Sequence, residues 1–77
     1  MNMTNSNFVI CVNGVGSDDL QVWKLYRVLS DEKAAVENYL RVVDDSGEDY
    51  LYPANRFVGV DFPESVSSQL LAAAQAV

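Results

Sequence analysis

Residues 42–57, VVDDSGEDYLYPANRF, decide how this 77-residue chain is read. Two apolar runs, YLRVVD (39–44) and EDYLYP (48–53), flank Asp45, Ser46 and Gly47. A glycine in so short a connection fits a hairpin loop in which Gly47 takes the left-handed conformation. Along a strand alternate side chains face opposite sides, so Tyr50 and Tyr52 share one face while Leu51 and Pro53 share the other. Both faces are apolar. The same doubling occurs where Leu40 and Val42 oppose Tyr39 and Val43, and where Tyr26 and Val28 oppose Leu25 and Leu29. One set can fill a small interior; the other needs a cover or a partner.

Working outward, NFVICV (7–12) reads as a strand, and NGVGSDD (13–19) as a loop in which Asn13, Gly14 and Gly16 supply positive-φ positions. The alternation in LQVWKLYRVL (20–29) predicts a second strand. SDEKAAVEN (30–38) reads as a polar loop or one helical turn, with Ser30 or Asp31 as N-cap. After Pro53 come a short turn and a last strand through Phe57, Val58 and Val60. Then FPESVSSQLLAAAQAV (62–77) changes character. Pro63 suits a first helical turn, Glu64 complements the helix dipole, and Val66, Leu70, Ala73, Ala74 and Val77 share one face. The expected division is a flexible N-terminus over 1–7, a β module over 8–62 and a C-terminal helix over 63–77.

Composition narrows the function classes. A chain this short forms one domain and buries only about 60% of its unfolded surface, while 49% apolar content is too high for disorder. Eleven Asp and Glu against five Lys and Arg leave a charge of −6, which repels phosphate backbones and anionic membrane surfaces. Cys11 stands alone and there is no histidine, so neither a disulfide framework nor the commonest metal ligand or general base is present. The start, MNMTNSN, carries no cation, and the apolar run after it is too short for a signal-peptide core or a membrane span. The expectation is a cytoplasmic protein with no membrane segment.

Five short strands with a tight hairpin before LYPANRFV (51–58) resemble the SH3 domain, whose fourth strand runs into a similar Leu-aromatic-Pro-small-Asn-Tyr-Val segment and a short 3₁₀ turn. DLQVWKLYRVL (19–29) looks like the acidic-loop exit and diverging turn, YLRVV (39–43) like the Trp-Trp strand, and DSG (45–47) like the distal hairpin. The chain also resembles a widespread group of small, uncharacterised bacterial proteins with a YLRVVDDSGEDYLYPANRF-like core. The resemblance implies an SH3-like five-stranded small β-barrel with a C-terminal α-helix, in which Tyr52, Val42, Leu40 and Phe57 point inward. The departures bear on function: FVICVNG lacks the Ala-Leu-Tyr-Asp-Tyr stretch, Arg56 stands where the 3₁₀ turn carries Tyr, and Tyr39 replaces the first Trp. Of the groove residues Pro53, Asn55 and Tyr39 survive, which speaks against polyproline recognition through aromatic slots.

The chemical readings are thin. Asp44, Asp45, Glu48 and Asp49 lack the ligand order of an EF-hand loop and read as a solvated turn of ordinary carboxylates. The Gly-x-Gly of GVGSDD has Asp18 and Asp19 where a phosphate would sit. Cys11 reads as a small buried hydrophobe. Trp23 either packs, in the core or against the helix, or meets a partner. Arg41 and Arg56 are expected near each other, as a two-cation patch that pairs with local carboxylates as readily as with a ligand.

The resulting expectation is a non-catalytic protein-interaction module without cofactor or metal, whose contact surface is Trp23, Tyr39, Leu51, Pro53, Asn55 and Arg56. The partner is a protein or peptide, self-association included. The alternative is a nucleic-acid-associated regulator, which the net charge disfavours. The C-terminal helix is expected to cover part of the outer apolar set.

Overall fold

The computed structural model describes residues 7–75; the predicted flexible segment 1–7 therefore lies almost wholly, and Val77 wholly, outside the described residues. Five strands form one antiparallel sheet: β1 (Phe8–Cys11), β2 (Leu25–Leu29), β3 (Tyr39–Val43), β4 (Asp49–Pro53) and β5 (Phe57–Val60). Their order is β4-β3-β2-β1-β5. A short helix α1 (Glu32–Val36) links β2 to β3, a 3₁₀ turn (Ala54–Arg56) links β4 to β5, and α2 (Glu64–Gln75) closes the chain.

The sheet is open, since its edge strands β4 and β5 share no ladder. It is nevertheless curled. The four steps from Pro53 to Phe57 can span no more than roughly 14 Å, so the two edges approach each other at this end. Tyr52 and Phe57 meet there edge to face, with ring centroids 6.0 Å apart.

Alternation selects the core. Val9, Cys11, Tyr26, Val28, Leu40, Val42 and Phe57 all turn to the concave side with Leu20, and Tyr52 and Ala54 pack against them. The inward set that the SH3 resemblance implied, Tyr52, Val42, Leu40 and Phe57, is thus the observed one, and Cys11 is fully buried. Gly47 has φ 85°, as the hairpin loop requires.

Three local readings change and one is borne out. Residues 20–24 are a turn and no part of β2: Gln21 N donates to Tyr26 Oη at 2.7 Å, Lys24 N to Gln21 O at 3.2 Å, and Trp23 takes φ 78°. Of Asn13, Gly14 and Gly16, only Gly16 has positive φ. The polar 30–38 segment does form a helical turn, capped by Asp31, whose Oδ1 accepts from Ala34 N at 2.9 Å; Asn38 ends it in the left-handed conformation, φ 61°. The last difference concerns α2. It begins at Glu64, with Val66 N and Ser67 N donating to Pro63 O, and its Ser67 and Leu71 share a depression with Phe8, Val60 and Phe62. It does not cover the Tyr39–Leu51 face. The reason is its tether: Phe62 stacks edge to face on Phe8 at 5.7 Å, which anchors the helix start beside β1 and β5, three strands away from β4.

A candidate binding surface on β3 and β4

Register brings three of the six predicted site residues together, and the 3₁₀ turn adds Asn55 beside them. Tyr39 pairs with Pro53 and Arg41 with Leu51, so Tyr39, Arg41, Leu51 and Pro53 lie on the convex face of the β3–β4 hairpin. Tyr39 and Leu51 are 41% and 46% exposed, values well above those of a covered strand. Two adjoining depressions share Tyr39 as a wall: one of about 500 Å³ also touches Leu51, Ala34 and Glu37, the other of about 580 Å³ touches Pro53, Asn55 and Asn38.

The frame of this face is polar. Asp31 serves twice, capping α1 through Oδ1 and accepting from Arg41 Nε through Oδ2 at 2.9 Å. Arg41 Nη1 reaches Asp49 Oδ2 at 2.9 Å, so one guanidinium ties α1 to β4 across β3. The Ala34 N–H and the Arg41 guanidinium hold the Asp31 carboxyl below its ordinary range. The Asn38 carbonyl accepts from Ala54 N at 2.8 Å, fixing the 3₁₀ turn, and Asn55 with it, beside Tyr39.

Trp23 and Arg56 lie elsewhere. Trp23 projects from the turn before β2, 86% exposed, with its N–H donating to Cys11 O at 2.8 Å. Arg56 Nη1 donates to the carbonyls of Val15 at 2.7 Å and Asn13 at 3.3 Å. Arg41 and Arg56 therefore form no common patch; each is held by its own set of acceptors.

The largest departure from the sequence reading is the acidic turn. Asp44 is 5% exposed and accepts from Ser46 N, Ser46 Oγ and Tyr52 Oη. Burial pushes its carboxyl up, but the hydrogen bonds from Ser46 and Tyr52 outweigh that and hold it below the ordinary value. The Asp45 carboxyl is lowered chiefly by Lys24, against burial and with help from Gln21 and Tyr26. Tyr26, desolvated and facing Asp45, has its phenol pushed up to about 12. An Asp whose side chain can accept from the N–H two residues on is a turn signature, and Asp44 with Ser46 fits it; the contacts of Asp45 to residues 21–26 had no local signal. These shifts move carboxyls down and phenols up, leaving none of the shifted groups near neutrality. Among the described residues no three His, Cys, Asp or Glu gather to hold a metal ion.

No protein-family model, curated protein or solved structure matches this chain.

Proposed function

We propose that the chain is a non-catalytic protein-interaction module with an SH3-like small-barrel architecture, and that it binds a protein or peptide on the Tyr39–Leu51–Pro53–Asn55 face. The strand order, the hairpin and the three-residue 3₁₀ link support the architecture. One observation carries the function: a contiguous apolar surface on the β3–β4 hairpin is left open while the helix expected to cover it sits against Phe8 and Phe62. Exposed apolar patches of this kind, edged by polar groups, mark contact sites. Asn38 and Asn55 supply neutral hydrogen-bonding groups at one edge, and Glu37 with the Arg41 triad supplies charge at the other.

The nucleic-acid reading finds little support in the cations. Lys24 and Arg41 are engaged by carboxylates and Arg56 by backbone carbonyls, so few remain to release counterions from a phosphate backbone. Among the described residues no helix is long and apolar enough to cross a membrane. The test is Leu51→Asp: its denaturation midpoint should stay close to that of the parent chain, while a partner retained by the parent on an affinity column should be lost. A variant that retains the same partner would overturn the assignment of this face.

A further inference from the structure

The opposite part of the convex face carries a second apolar surface. Ile10 pairs with Leu25 on one side and Val58 on the other, and Val12, two residues on from Ile10, continues that face beyond β1. Val12 N donates to Arg56 O and Trp23 N to Cys11 O, both at 2.8 Å, so Trp23, Val12 and the start of β5 are neighbours on three adjacent lengths of chain. Arg56 Nη1, on the Val15 carbonyl, brings Val15 to the same border. Val12, Val15, Val22, Trp23 and Val58 are each roughly half exposed or more. Together they present on the order of 500 Å² of apolar surface, toward the upper end of what a monomer shows.

The backbone singles out the same place. Trp23 sits at φ 78°, a region that bulky L-residues avoid and that Gly or Asn enters easily. The turn is nonetheless fixed from several sides, by Trp23 N on Cys11 O, Lys24 N on Gln21 O, and Gln21 and Lys24 on Asp45. An outlier held so firmly, with its side chain in solvent, points to use of that side chain.

We propose that this face is where two copies of the chain meet, with Trp23 at the centre of a two-fold interface. Two observations favour a second copy as the occupant. The apolar area per chain, with a polar rim added, reaches the roughly 600–800 Å² per partner of a modest specific interface. β5, the edge strand bordering the patch, has neither charge nor proline over Phe57–Val60, whereas the other edge, β4, is blunted by Asp49 and Pro53. The Tyr39–Leu51 face takes no part, so the inference stands apart from the function proposed above.

The test uses the full chain and its single tryptophan. Sedimentation equilibrium should show a monomer–dimer equilibrium with a dissociation constant in the range of about 10 μM to 1 mM, and Trp23 emission should shift to the blue along the same concentration curve. Trp23→Gly, which suits the left-handed backbone, and Val58→Lys should each weaken association at least ~10-fold with circular dichroism unchanged, whereas Leu51→Asp should leave it as it was. A chain that stays monomeric at about 1 mM with the emission of a water-exposed indole would overturn the proposal. So would association that survives both Trp23→Gly and Val58→Lys.

Discussion

Removing everything after Phe62 should cost only part of the domain's stability. No side chain described in α2 is buried, and its largest apolar contributions, Leu70 and Leu71, are half-buried. Full burial of a leucine contributes about 1.5–3 kcal/mol, so the two at half burial contribute ~1.5–3 kcal/mol together. Against this, a helix of twelve residues is marginal by itself, because fixing each residue's backbone costs about 1–2 kcal/mol and its hydrogen bonds return roughly that amount. The truncated chain keeps Phe62 and with it the edge-to-face contact on Phe8. With the helix itself close to neutral, the expected net loss is ~1.5–3 kcal/mol. Had α2 covered Tyr39, Leu51 and their neighbours, three lost contacts would have consumed a small domain's whole margin of ~5 kcal/mol. Urea denaturation followed by far-ultraviolet circular dichroism measures the difference. A drop above ~3 kcal/mol, or aggregation of the truncated chain at concentrations where the full chain is soluble, would refute the placement of α2 and return it to the β3–β4 face.

Gly47→Ala should destabilise by about 1 kcal/mol, because alanine resists the left-handed conformation that the hairpin loop imposes; an unchanged thermal midpoint would speak against that loop geometry. Trp23→Gly should do the reverse, raising the stability of the monomer by about 1 kcal/mol, since it relieves φ 78° at a side chain that buries almost nothing. Asp31, Asp44 and Asp45 are all held below their unfolded value of 3.8. Their contribution is therefore present above that value and lost as pH falls below it toward the folded values. Asp44→Asn should flatten this acid limb of the stability curve. Tyr26 has the opposite sign: raised from 10.0 to about 12, it stabilises the fold below pH 10.0 and loses that contribution as pH climbs to about 12, so unfolding should accompany its phenolate absorbance and Tyr26→Phe should weaken the coupling, leaving the part that the raised Tyr50 and Tyr52 contribute.

How much of this was legible in the sequence depends on whether a signal was local. The hairpin was, because Asp45-Ser46-Gly47 sits between two alternating runs and Gly47 does what only glycine does easily. The inward set was in part: a period of two separates the two faces, but both are apolar, and it was the SH3 resemblance that put Tyr52, Val42 and Leu40 inside. The turn at 20–24 was not. Leu20 and Val22 alternate like a strand, but Leu20 is buried in the same core from outside the sheet, and apolar alternation cannot separate those cases. Of the candidate surface, Tyr39, Pro53 and Asn55 came from the SH3 resemblance and Leu51 from strand alternation, whereas Trp23 and Arg56 were grouped with them by chain pattern and belong to another face. The covering of the β3–β4 face by α2 was a reasonable inference from its apolar stripe. It failed because Phe62, on the linker, finds Phe8 first, a long-range pair that no periodicity announces.

The acidic turn explains why an exposed tryptophan can keep an unfavourable backbone. The left-handed conformation costs a bulky residue roughly 1–2 kcal/mol, and left alone the turn would relax. Asp45, on the β3–β4 hairpin, accepts from Gln21 Nε2 and Tyr26 Oη, both at 3.0 Å, and from Lys24 Nζ, while its own N–H donates to Asp19 O at 2.9 Å. At about 0.5–1.5 kcal/mol for a neutral bond and more for one to a charged group, these contacts together outweigh the strain at Trp23. They also span the segment 19–26 on both sides of it. A carboxylate that the sequence presents as a solvated turn residue is thus the clamp that makes the turn before β2 rigid. Rigidity matters to recognition because a side chain held in place by the fold loses less entropy on contact than one that must be ordered there. One of the carboxylates that give the chain its negative charge, Asp45, therefore holds the backbone turn that carries its most exposed apolar side chain.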